Sequence, residues 1–121
     1  MLYKNEFDDL ISFIKEKKIR GLVFLSGDRH LSEMYKIKNN DFYPFYEITC
    51  SPFTPKAYDI SGKPEFDNPI RIKGSLVMEQ NFMKISVAGE RKKRSICFET
   101  YNLNNDQVFK YKISENELRY Y

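Results

Sequence analysis

The sequence predicts one domain of mixed α/β content, α+β in arrangement, and three observations carry that reading. Phe7, Leu10, Ile11 and Ile14 recur at i, i+3, i+4 and i+7, the apolar stripe of an amphipathic helix. Leu22, Val23, Phe24 and Leu25 are apolar without alternation, as in a strand covered on both faces. The last third alternates apolar and polar residues over 81–87, 95–101 and 107–113, the period of strands with one wet face.

Taken in order, the helix has Asn5 as its expected N-cap, with Glu6, Asp8 and Asp9 in the first turn, where the helix dipole favours negative charge. Lys15, Lys17 and Lys18 place positive charge at the other end, and Ile19 to Gly21 are expected to close it. After the apolar strand come Ser26 to His30. Leu31 to Tyr35 then read as one or two helical turns. Tyr43 to Ser51 form a second strand, entered at Pro44 and left at Pro52. Residues 52–70 hold four of the five prolines and are expected to be a long loop without a regular element. The final three strands form an antiparallel meander, turning at 88–94 and 102–106. The expected order is therefore helix, buried strand, loop, strand, long loop and meander.

A chain of 121 residues allows one domain, and one this size buries roughly two-thirds of the surface that its unfolded form exposes. Ten Phe and nine Tyr argue against a disordered composition. No apolar run approaches the length of a membrane span, and Met1 to Asp9 lack the basic-then-apolar order of a signal peptide. The net charge of +3 neither requires nor excludes a nucleic-acid partner. Cys50 and Cys97 are far apart, with no Cys or His at ligand spacing, and are expected to be buried or half-buried thiols.

The chemistry concentrates behind the apolar strand, because ligands of open α/β sheets bind outside the carboxyl ends of strands. That point carries Gly27, Asp28, Arg29 and His30, the only histidine of the chain. A carboxylate and an imidazole alternating in an extended stretch would project to one side and begin a divalent-metal site. Arg29 is a candidate phosphate clamp. The same residues also suit ordinary turn and capping chemistry.

The stretch from Gly21 to His30 (GLVFLSGDRH), with Ser32 and Glu33 beyond it, resembles the last metal-binding motif of PhoD-like alkaline phosphatases, which belong to the calcineurin-like metallophosphoesterases. Tyr43 to Ser51 (YPFYEITCS) is similar to the strand that follows in that family, and Asn81-Phe82 to the opening of its closing section. The resemblance covers nearly the whole chain. It implies a sandwich of two mixed sheets flanked by helices, and hydrolysis of phosphomonoesters or phosphodiesters by metal-activated hydroxide. Asp28 would be a metal ligand, His30 a ligand or a catalytic group bonded to phosphate, and Arg29 a weaker phosphate contact. The metals would be divalent or trivalent, with calcium, iron, manganese and zinc all open.

The family's other ligand motifs, among them Gly-Asp-x-x-Asp and Gly-Asn-His, do not occur before Asp28. The chain, 1–121, is therefore expected to be one partial domain, the C-terminal portion of the phosphatase domain, with the rest of that domain as its partner and phosphate ester as substrate. Alone it is expected to be inactive. The resemblance implies an exported parent, periplasmic or extracellular. The alternative is a non-catalytic β-rich module. It would bind single strands through the Arg91–Arg94 turn and interleaved aromatics, or oligomerise through the meander.

Overall fold

The computed structural model describes residues 3–51 and 56–119. Its architecture is α+β, one α-helix and two three-stranded sheets, in the order α1 (Lys4–Glu16), β1 (Phe24–Ser26), β2 (Glu33–Ile37), β3 (Phe45–Thr49), β4 (Asn81–Ala88), β5 (Ser95–Asn102) and β6 (Gln107–Ser114). Short 3-10 turns cover Pro64–Asp67 and Glu115–Leu118. No helix among the described residues is long and apolar enough to cross a membrane.

The helix forms where its stripe predicts but begins earlier. Tyr3 occupies the N-cap position, so Asn5 lies inside the first turn and makes no cap bond. Only Ile14 is buried. Phe7, Leu10 and Phe13 are 40–51% exposed, so much of the apolar face stays only half covered among the described residues. The helix ends at Glu16, before the predicted 19–21 closure, because Lys18 turns into the left-handed region at φ 53°.

The first sheet is mixed, ordered β1-β3-β2, with β1 parallel and β2 antiparallel to β3. The expected helical turns at 31–35 are instead the start of β2. Met34 pairs with Ile48, and the outer edge of β2 is closed by bridges Ser32–Val77 and Tyr35–Arg71. Those partners make an extended backbone satisfy more hydrogen bonds than an isolated helical turn would. The 70–77 segment that closes this edge follows directly on the long loop. Residues 52–55 of that loop lie outside the described residues. The remainder contains the 3-10 turn at Pro64–Asp67 and a fully buried Ile60, so it is more built than its composition suggests.

The β1 strand differs from its expectation of cover on both faces. Its register with β3 is parallel (Leu25 opposite Ile48), but its other edge has no strand among the described residues, and Leu25 is 62% exposed.

The meander follows its period in β5 and β6, whereas in β4 Ile85 and Val87, on the face expected to turn inward with Met83, are 41% and 66% exposed. The β4–β5 and β5–β6 pairs run in antiparallel register, with a bulge at Thr100/Tyr101. One core joins both sheets: Met34, Phe45, Tyr46 and Ile48 from the first meet Phe98 and Ile113 from the second. The closing sheet is purely antiparallel, not mixed as the resemblance implies. Both cysteines are half-buried free thiols.

Candidate functional site: the loop behind β1

The segment from Gly27 to Ser32 leaves the carboxyl end of β1, crosses the end of β3 and enters β2. Its turn is made by the side-chain-bearing residues. Asp28 and His30 stand at φ 67° and 58°, while Gly27 has no positive φ and could carry a Cβ at ordinary contact distance, 3.6 Å, from the Cys50 carbonyl. The extended alternation expected for Asp28 and His30 is therefore absent. Two non-glycine residues in the left-handed region, within three positions, concentrate backbone strain that the surroundings must hold.

The surroundings hold it from below. Leu31 and Ser32 are fully buried. The Ser32 hydroxyl donates to Asn81 Oδ1 at 2.6 Å and accepts from the Ser51 amide at 3.0 Å. Asn81 Nδ2 donates to the carbonyls of Ser51 and Glu79 at 3.2 and 2.8 Å, which ties the start of β4 to the ends of the first sheet. A second tie comes from the long loop, whose Tyr58 amide donates to the His30 carbonyl at 2.7 Å.

On this base, Asp28 is exposed and its carboxylate takes no partner among the described residues. His30 is half-buried, and its Nδ1 lies 3.2 Å from the Lys56 carbonyl. A carbonyl only accepts, so Nδ1 is the donor, and in the neutral ring Nε2 is the nitrogen left for a ligand.

Arg29 has another use. Its guanidinium donates to Glu33 at 3.0 Å, to Glu65 at 2.7 Å and to the Tyr35 hydroxyl at 3.2 Å. It anchors the loop to β2 and to the 3-10 turn instead of lying open for phosphate. Glu33, fully shielded, also accepts from Arg71 Nε at 3.1 Å, and Arg71 reaches the Glu65 and Phe66 carbonyls. Burial, with the Glu33 carboxylate beside it, pushes the Tyr35 phenol up from its ordinary value.

The donor set of a metal is met in part. A free carboxylate and an imidazole with an available Nε2 suit a hard or borderline cation. Among the described residues, no group of three His, Cys, Asp or Glu side chains converges to hold one. Of the supporting residues, Ser32, Glu33, Ser51 and Asn81 were visible in the sequence only as members of the resembling blocks. Lys56 and Arg71 carry no local signal at all. No family description, curated protein or solved structure matches this chain.

Proposed function

We propose that this chain is the closing portion of a PhoD-like metal-dependent phosphoesterase domain. Asp28 and His30 are its contribution to a metal and phosphate site completed by residues outside the described ones. The observation that carries the reading is the strained, rigidly supported loop at the carboxyl end of a parallel strand, presenting one unpartnered carboxylate and one imidazole of fixed tautomer. The edge of β1, which has no further strand neighbour among the described residues, and the exposed Leu25, Phe7, Leu10 and Phe13 support a larger domain packed on them. Bound metals would neutralise phosphate charge and activate water. In such a site the chain's own part is to present the Asp28 carboxylate and the His30 imidazole while Arg29, Ser32 and Asn81 keep the loop still.

The test is a titration of the purified chain with Mn2+, followed by paramagnetic broadening. Selective broadening at Asp28 and the His30 ring, with affinity on the order of millimolar for so incomplete a donor set, and its loss in Asp28→Asn are expected. No hydrolysis of an aryl phosphate above background should accompany it. Absence of selective broadening overturns the metal role of the loop, and robust turnover abolished by Asp28→Asn overturns the incompleteness of the site.

A further inference from the structure

At the opposite end of β1, independent of the loop behind it, two concavities adjoin. One is a cleft of about 420 Å³, lined by Arg20, Arg91, Lys92, Arg94 and Arg119 with Glu115 as its one acidic residue. The other is an apolar pocket of about 160 Å³, with Val23, Val87, Ile96 and Ile113 in its wall. They share Gly21, Arg94, Glu115 and Leu118, so one opens into the other.

The charge is unbalanced and held in place. Glu115 pairs with Arg119 at 3.3 Å. No carboxylate lies within ion-pair distance of Arg91, Lys92 or Arg94 among the described residues. The walls are tied by backbone hydrogen bonds: the Gly21 amide to the Leu118 carbonyl at 2.9 Å, and the Glu115 amide to the Arg94 carbonyl at 2.8 Å. Arg119 Nη2 donates to the Lys92 carbonyl at 3.2 Å. Lys92 sits at φ 71°, and Gly89 at φ 107° lies too close to the Lys93 carbonyl to carry a side chain. These ties hold the backbone of Lys92 and Arg94 in place, so that the unpaired cations at 91, 92 and 94 start from a fixed turn beside an apolar hollow.

We propose that this cleft binds an organic polyphosphate, with phosphate groups among Arg91, Lys92 and Arg94 and an apolar or aromatic body in the adjoining pocket. A volume of about 420 Å³ leaves room for more than one phosphate, guanidinium groups match phosphate oxygens in pairs, and an apolar hollow adds affinity for a ring.

The experiment titrates the chain with pyrophosphate and with ATP, in the absence of divalent metal, by calorimetry and by amide shifts over residues 91–96. ATP is expected to bind at least about threefold more tightly than pyrophosphate, since burying even part of a ring is worth that much. The pair Arg91→Gln/Arg94→Gln should weaken ATP by about tenfold or more, the loss of one charge-assisted hydrogen bond. The pair Lys84→Gln/Lys110→Gln, which flanks Glu99 on the meander, removes the same charge and should leave affinity unchanged. Asp28→Asn should also leave it unchanged, which separates this site from the proposed metal loop. Equal losses in the two double variants would reduce the effect to net charge and overturn the proposal. So would equal affinity for pyrophosphate and ATP, or no shifts at 91–96.

Discussion

The two sheets share one core but are specified in different ways. In β4–β6 each strand has eight residues, neighbours in sequence are neighbours in space, and in β5 and β6 the period-2 pattern sets which face turns inward. In β1–β3 the strands are three and five residues long, the central strand is the last in sequence, and four of its five residues are buried. Nothing local dictates that arrangement. It is fixed by contacts made at a distance, many of them polar: Glu33 with Arg71, Ser32 with Asn81, and the Tyr58 amide with His30. Strands defined by period make a scaffold, and strands defined by a polar network position a loop.

The sharpest way to break this contrast is to remove the carboxylate on which the network converges. Glu33→Ala leaves Arg71, only 9% exposed, and Arg29 without their shared partner, and losing one side of a buried ion pair costs about 3–5 kcal/mol. Glu99→Ala on the meander, where the half-buried carboxylate accepts from Tyr101 and Gln107 but shares no buried ion pair, should move the urea midpoint far less. Replacing both partners, Glu33→Leu with Arg71→Met, should recover part of the loss, because the pair's desolvation cost disappears with it. A Glu33→Ala protein as stable as the parent would mean that the network does not hold the first sheet.

How far the fold was legible follows the same division. The helix and all three meander strands were readable from their period, which in β5 and β6 reflects burial on one face and in β4 persists although Ile85 and Val87 stay exposed. Residues 31–35 were misread as helical because Leu31, Ser32, Glu33 and Met34 are all buried, which removes alternation and puts a glutamate inside. Its partner Arg71 is 38 residues away, and no spacing rule reaches that far. The site was legible as a place, the end of an apolar strand, and as residue types. Its geometry was not. The left-handed turn falls on Asp28 and His30 and not on the neighbouring Gly27, where a sequence reading would place it, and Arg29 turned to carboxylates that its sequence neighbourhood only half contains.

Tyr46 joins the two sheets, and its removal should show an intermediate effect with a pH signature. Its hydroxyl donates to Glu117 at 2.9 Å, and its ring lies 6.0 Å from that of Tyr111. Burial first, then Tyr111 and Glu117, pushes the phenol well above its ordinary value. The folded pKa thus exceeds the unfolded one. The stabilisation is fully present below about pH 10 and is lost as pH rises beyond it, where the unfolded chain releases the proton first. Tyr46→Phe should cost about 1 kcal/mol at neutral pH, the worth of one hydrogen bond. The gap to the parent should narrow at pH 11 in urea melts. Tyr35 and Tyr43, also raised chiefly by burial, keep an alkaline decline in the variant. A gap that is constant with pH would remove Tyr46 from the alkaline response.

The smallest effect is expected where the proposed chemistry sits. Asp28 has an exposed side chain without a partner and a backbone at φ 67°, so its carboxylate should contribute nothing to folding while its backbone works against it. Asp28→Gly removes the carboxylate and the Cβ strain together, and stability should stay within about 0.5 kcal/mol of the parent. Asp28→Val keeps a Cβ, adds a branch at a left-handed position and should cost about 1–2 kcal/mol. Asp28→Asn tolerates that backbone as Asp does and should be silent in melting while abolishing the Mn2+ response. The series separates what the loop's shape requires from what its charge does. If Asp28→Gly instead falls by more than about 1 kcal/mol, the carboxylate is a structural cap in solution, and the strained loop would then be ordinary turn chemistry on a domain whose sheets differ only in how they are wired.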